Sequence, residues 1–374
     1  MIRTQDQLDL AGAVRSLLAK RSDSAAVRAA ADSSRGYDEQ LWATLCGEIG
    51  VAGLAIPAEF GGAGAGLAEL AVVLEELGSA LTPTPLLGSA VLAGLAVRES
   101  GDEAACERLL PAVAEGGVAA LAWCGPEGGW NPQGPAFRAR GGGDLDGEAH
   151  YVLNGDRPDV LIAAASTPGG VRLFEVDPQS PGVSCRAEAT MDPTIRLATV
   201  HLDGVRGRQL DGDGAAALRC TRALSCALLA AEQVGAAARS LELTVEHTQQ
   251  RRQFGRPLGA FQALKHRMAE VHVAVEAARS AARAAASAAD RREPGWQRAA
   301  CVARVSCTEA LELATAEMVQ LHGGIAITWE HDAHLFFKRA HSSAQLLGQP
   351  DAHLRELAGE SPVQSDSAPA SSSV

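Results

Sequence analysis

Arg251 and Phe254 stand with Gly255, Pro257 and Gly259 directly ahead of a run in which Ala263, Leu264, Met268, Val271 and Val275 keep the three-and-four spacing of one helix face. A guanidinium offers a planar fork of donors matched to phosphate, and Phe254 adds an aromatic face. Glycine and proline in this pattern impose a rigid bend. Such a cluster either caps an ordinary bundle helix or presents its arginine to an anionic ligand. Further on, Gln320-Leu-His-Gly323-Gly324 ends a helical pattern on two adjacent glycines, and LFFKRAH follows at 335–341. Paired glycines serve as a helix C-cap, or they let backbone N–H groups approach a pyrophosphate closely.

Together and in this order, the two segments resemble the acyl-CoA dehydrogenase family, whose C-terminal bundle carries R-x-Q-F-G-x-x-x-x-x-F-Q and Q-x-x-G-G. The resemblance spans nearly the whole chain. Residues 36–81, from GYDEQLW to GSAL, are similar to the family's N-terminal helical segment, and MDPTIRLATVHLDGV at 191–205 is similar to the strands that close its middle domain. The implied fold is α+β: an N-terminal helical domain over 1–115, a middle antiparallel β-domain over 116–208 and a C-terminal four-helix bundle over 215–358. The implied cofactor is FAD, held mainly through its ADP half. On that reading Arg251 faces the pyrophosphate, Gln262 and Gln320 supply amide donors and acceptors, Phe254 lends its ring, and Gly323 and Gly324 allow backbone approach. Family members use these segments across a subunit interface, which implies a homo- or hetero-oligomer. The implied substrate is an acyl-CoA thioester, and an electron-transfer flavoprotein or similar acceptor takes the electrons.

The chemistry of the family needs a carboxylate in a mostly dry pocket to remove a proton beside the thioester while the β-carbon passes a hydride to the flavin. Family members place that glutamate at one of two positions, which fall here on Gly348 and on Ser225, 26 residues before Arg251. Neither residue is a base. Three explanations stay open: a displaced carboxylate such as Glu232, or further along Glu242 or Glu246; a carboxylate from another segment; or a heteromeric enzyme whose partner subunit supplies the glutamate. A catalytically silent structural subunit and a same-fold oxidase or monooxygenase are the competing functional classes. The middle domain also departs from the family pattern at WCGPEGGWN (123–131) and YVLNG (151–155), so no flavin contact is assigned there.

Pattern and composition agree with this layout. A chain of 374 residues exceeds one ordinary core. Leu10, Val14, Leu17 and Leu18 form one apolar helix face, and Leu70, Val73, Leu74 and Leu77 form another. Thr82-Pro-Thr-Pro85 interrupts the helices, either as a plain break or, as the resemblance implies, as a border of the acyl pocket. VAALAWC, HYVLNG, VLIAAAS, VRLFEVD and LATVHLD read as strands between glycine-rich turns, forming a small antiparallel barrel or sandwich. Three long alanine-rich helices and a shorter one running to about Ala358 follow, and the serine-rich segment 361–374 is expected to be disordered.

A formal charge of −12 without a Lys/Arg block argues against nucleic acid and anionic membrane as partners, and any coenzyme A must meet a local basic patch that the sequence does not locate. The apolar runs are interrupted before about 18 residues, so no membrane insertion is expected. Eight cysteines show no C-x-x-C spacing and the N-terminus lacks a signal-like apolar block, which suggests a reduced, cytoplasmic protein. His322, His331 and His334 surround the glycine pair without a supporting cysteine or carboxylate cluster. They are expected to be surface or interface histidines and no metal is expected. Glu330 and Asp332 are expected to be helix N-terminal charges.

Overall fold

The computed structural model describes residues 3–141 and 143–359. The serine-rich segment 361–374 lies outside them. Six helices come first: α1 Gln5–Arg21, α2 Ser24–Asp32, α3 Glu39–Thr44, α4 Leu67–Ala80, α5 Gly94–Ser100 and α6 Glu103–Ala114. Local sequence starts them. Thr4 accepts from the Gln7 N–H while the Gln7 side chain returns to the Thr4 N–H, a capping box for α1. Asp23 and Asp102 cap α2 and α6 in the simpler way. The α4 face made of Leu70, Val73, Leu74 and Leu77 is fully buried. On α1 only Val14 and Leu18 of the expected face are buried, with Ala11 beside them. After α4, Leu81 takes a left-handed conformation at φ 51°, and the Thr82–Pro85 segment leads into a wide helical turn at Leu87–Ala93.

Eight strands follow: β1 Ala119–Ala122, β2 Phe137–Ala139, β3 Asp144–Leu153, β4 Val160–Thr167, β5 Gly170–Val176, β6 Val183–Ala187, β7 Leu197–Arg206 and β8 Arg208–Gln209. They form a single curled sheet in the order β6-β7-β3-β2-β4-β5-β8, with β1 joined to β4. Most pairs are antiparallel, but β1 and β2 both run parallel to β4. The expected barrel or sandwich is therefore one mixed sheet. The strands missed in the sequence are the short β2, β6 and β8, where arginine and small residues weaken the apolar alternation.

The remaining helices are α7 Gly214–Gln250, α8 Gln262–Asp290, α9 Trp296–His322, α10 Ala333–Gln345 and α11 Pro350–Gly359. Between α7 and α8 the pairs β9 Arg252–Gln253 and β10 Arg256–Pro257 make a two-stranded hairpin. The single short helix expected at the end is in fact two, because Leu347 and Gly348 both have positive φ and Pro350 cannot continue α10. α7 crosses α4 closely at glycines: a Cβ at Gly235 would run into the Glu75 carbonyl, and one at Gly78 into the Glu232 carbonyl. α7 contains an 18-residue window of mean hydropathy 1.2, apolar enough by length and composition to cross a membrane, and 72% of that window is buried inside the protein, as in a core helix.

Sheet and bundle are tied by one buried guanidinium. Arg339 on α10 donates to Asp192 Oδ2 at 2.9 Å and to Thr194 Oγ1 at 2.6 Å, both in the segment entering β7, and it also pairs with Glu232 on α7. Burial pushes the Glu232 carboxyl up, Arg339 opposes that, and the neighbouring Asp192 reinforces it. Two carboxylates thus share one cation in a dry site. Removing that cation strands buried charge, so Arg339→Met is expected to cost about 3–5 kcal/mol in a urea-unfolding midpoint. The deficit should shrink as pH falls, because a carboxyl with a raised folded-state pKa takes up its proton more readily in the folded protein. Equal stability of variant and parent, or a deficit that widens in acid, would contradict this account.

Candidate functional site

α7 ends where Arg251 leaves the helix, its N–H still bonded to the His247 carbonyl at 2.8 Å. The chain then turns tightly. Gln253 pairs with Arg256, and the two linking residues, Phe254 at φ 52° and Gly255 at φ 76°, both lie in the left-handed region, the signature of a two-residue hairpin turn. Glycine accepts this readily, whereas phenylalanine there is a rare and strained choice. Phe254 is nevertheless 90% exposed, with the Phe261 ring edge-on at 6.2 Å between centroids and Arg256 stacked on the Phe261 ring at 3.9 Å. Arg251, Arg252, Arg256 and Lys265 are all exposed around this tip. A cationic, aromatic end thus exists on a chain of net charge −12.

The second segment closes α9. Gly323 breaks the helix at φ 66°, and a Cβ at Gly323 or Gly324 would meet nothing within 4 Å, so backbone here faces open space. Gln320 is exposed, as is Gln262, whose Nε2 lies 2.9 Å from His266 Nε2. The two segments meet through histidine: His322 stacks on His247 of α7 at 4.2 Å and tilts against His331 at 4.5 Å. His322 is buried within the subunit and burial pushes it down to about 4, so it is an uncharged ring and not a surface one, the first of the two settings expected for it. Its Nε2 is buried without a partner. His331 and His334 are half-buried. Asp332 stands at the N-terminus of α10 as expected, paired with Arg28 at 2.6 Å, and Glu330 is exposed beside it.

Exposed guanidiniums, an unpartnered aromatic face and open glycine backbone at one end of the bundle fit a group that carries a pyrophosphate and a flat ring. Among the residues expected to hold FAD, Arg251, Phe254, Gln262, Gln320, Gly323 and Gly324 all present free surface there. In the middle domain, Trp123 and Trp130 pack edge-on at 5.7 Å within the 123–131 loop.

Of the two positions read from the sequence as those of the family's base, Ser225 lies on α7 and Gly348 in the turn between α10 and α11. Ser225 on α7 is fully buried and its hydroxyl has no partner. One turn earlier, Arg222 donates to the Leu347 carbonyl at 3.0 Å, and its Nη2 lies 3.1 Å from where a Gly348 Cβ would stand. Gly348 itself has φ 105°. A cation and a glycine-only backbone therefore occupy this place. Glu232, two turns along α7, lines a narrow cavity of about 30 Å³ with Leu74, Leu77, Thr82, Thr84 and Leu87, so the Thr82–Pro85 segment does border a pocket. Its carboxylate is engaged by Arg339. Glu242 and Glu246 are exposed and pair with Arg239 at 3.0 and 3.7 Å, which is not the dry setting a raised carboxyl needs. A groove of about 590 Å³ lies elsewhere, among α1, α2, α4 and α7, and shares none of the residues expected to hold the flavin. Sequence reasoning missed the Arg339, Asp192 and Thr194 cluster, although "MDPT" and "KRAH" both stood inside the segments that carried the resemblance.

Comparison with known proteins gives the family. Sequence profiles described as "Acyl-CoA dehydrogenase, N-terminal domain" and "Acyl-CoA dehydrogenase, C-terminal domain" match residues 4–117 and 212–360. A protein of Mycobacterium tuberculosis named acyl-CoA dehydrogenase IpdE2 is 45% identical over 349 residues, covering 93% of this chain and 94% of that protein. Among solved structures, a variant of the Tcur3481-Tcur3483 steroid ACAD superposes with a TM-score of 0.85 at 31% identity, over 95% of this chain and 97% of that one. The ChsE4-ChsE5 complex from Mycobacterium tuberculosis superposes with a TM-score of 0.87 at 27% identity, over 96% and 99%. The cationic hairpin, the glycine stop of α9 and the three-part fold thus have one common explanation: this chain belongs to the acyl-CoA dehydrogenase family of FAD-dependent oxidoreductases.

Proposed function

We propose that this chain is one subunit of a heteromeric acyl-CoA dehydrogenase that desaturates an acyl-CoA thioester between its α- and β-carbons, with the catalytic glutamate coming from the partner subunit. The observation that carries the proposal is Arg222 set against Gly348 at one position read for the base, while the other holds the buried hydroxyl of Ser225 and no carboxylate. Two structural neighbours named as paired-subunit proteins, one of them a steroid ACAD, support the same reading. Bound FAD supplies the hydride acceptor. Arg251 neutralises its pyrophosphate, Gln262 and Gln320 hydrogen-bond its polar edges, Phe254 covers a flat face, and Gly323 and Gly324 offer backbone N–H groups. Because these groups point outward from one end of the bundle, they serve a flavin shared with a neighbouring subunit. Oligomerisation is thereby part of the site. The electrons leave to an electron-transfer flavoprotein or similar carrier.

Three outcomes follow. The purified chain alone should show no acyl-CoA dehydrogenation with an artificial electron acceptor. Co-expression with a paralogue bearing the glutamate should restore turnover, since a missing general base typically costs about 10²–10⁴-fold. Robust turnover by the chain alone would overturn the heteromer and return attention to Glu232. In the assembled complex, Arg251→Ala should weaken FAD by roughly ten- to hundredfold, the loss of one charge-assisted bond of about 1.5–3 kcal/mol. Flavin absorbance of the gel-filtered complex measures this, and an undiminished yellow colour in Arg251→Ala and Gly323→Val together would refute the cofactor assignment. Gly348→Glu should not create an active single chain. The left-handed backbone and the Arg222 contact should instead lower its melting temperature, at a cost of about 1–3 kcal/mol.

A further inference from the structure

Away from the flavin end, three side chains converge where the last helix meets the bundle. Cys301 on α9 and His353 and Glu356 on α11 bring a thiol sulfur, a ring nitrogen and a carboxylate oxygen within 4.8 Å of one another. Glu356 Oε2 lies 3.4 Å from Cys301 Sγ and 3.9 Å from His353 Nδ1. Its other oxygen, Oε1, accepts from Arg222 at 2.6 Å, so the carboxylate is oriented with Oε2 turned into the cluster. His353 is 1% exposed, and its Nδ1 is buried without a hydrogen-bond partner. The opposite edge of the ring is fixed, with Nε2 against Gly348 and 3.9 Å from Cys226 Sγ. A buried ring nitrogen left alone is destabilising, which calls for a partner.

We propose that Cys301, His353 and Glu356 form a zinc site that pins α11, and with it the Gly348 loop, to α9. Zinc takes thiolate, imidazole and carboxylate at about 2.0–2.3 Å, which for a tetrahedron puts ligand atoms about 3.3–3.7 Å apart. The separations from Glu356, 3.4 and 3.9 Å, lie within a few tenths of an ångström of this range, and the Cys301-to-His353 separation, within 4.8 Å, closes by up to about an ångström. Arg222 on the distal carboxylate oxygen and the Gly348 backbone beside Nε2 are the outer partners that hold ligands in line. Water completes the fourth position. On binding, the Sγ–H bond of Cys301 breaks, its proton goes to solvent and a zinc–sulfur bond forms, with no change of oxidation state, so affinity rises with pH. This site is independent of the flavin reading and of the heteromer.

The test is titration of the full-length, chelator-treated protein with Cd²⁺ and Zn²⁺. One equivalent of Cd²⁺ should raise the ultraviolet thiolate-to-metal band, and Cys301→Ser should abolish it. His353→Gln should weaken Zn²⁺ by more than about 100-fold, beyond the ~10–100-fold typical of losing an outer partner, while Cys46→Ser should leave binding intact. Should a variant fold poorly, alkylation of the parent protein decides: one equivalent of Zn²⁺ should protect Cys301 selectively, as read by peptide mass mapping. Absence of stoichiometric binding, a band that survives in Cys301→Ser, or equal alkylation with and without Zn²⁺ would overturn the site and leave a plain thiol-to-carboxylate hydrogen bond.

Discussion

Arg339 is the contact on which the arrangement of the parts depends. It is buried, and it joins α10 to α7 through Glu232 and to the sheet through Asp192 and Thr194. Two anions for one cation in a dry site make an ion cluster that stabilises only while complete. Its neighbour Arg304 extends the arrangement. Fully buried on α9, Arg304 donates to the Ser343 and Leu346 carbonyls at the end of α10 and to Gln233, the residue after Glu232. The end of α10 is therefore held from two sides, and the direction in which the chain enters Leu347 and Gly348 is set by guanidiniums, not by apolar packing alone.

That constraint sets the backbone around Gly348. With the end of α10 fixed, the loop to α11 lies over Arg222, whose Nε is bonded to the Leu347 carbonyl. Leu347 and Gly348 adopt positive φ to make the turn before Pro350. A glutamate here would need a strained backbone and would place its stem against an arginine that already serves Glu356. Ser225, one turn along α7, is enclosed, so a charge there would have to be buried.

The hairpin end of the bundle follows a different logic. Around the hairpin the chain concentrates positive charge and exposed rings against a net charge of −12, and it keeps glycine backbone uncovered at the end of α9. Exposed Phe254, Ile327 and Trp329 on the same segments are apolar surface that a single subunit leaves uncovered. The histidine stack of His247, His322 and His331 joins the two segments beneath that surface. Neutral rings suit this role, because protonation in so enclosed a place would leave charge without compensation.

The sequence by itself was enough for the helical runs, the Arg251-to-Gln262 segment and the glycine pair, because all of these are local: spacing along one helix, or residue types within a dozen positions. It reached the sheet only in part, losing β2, β6 and β8, whose short runs carry little alternation. The break at Gly348 and Pro350 was legible and was passed over. What the tertiary structure alone decided is the company each side chain keeps. Arg339 meets Asp192 across 147 residues, Arg222 meets Leu347 across 125, and His322 is buried by a ring that lies on another helix. Local propensity carries no information about such pairs. They exist because the close crossing of α4 and α7 at glycine, and the packing of α9 and α10 against α7, brought polar groups out of water together, where each had to find its partner among whatever the fold placed beside it.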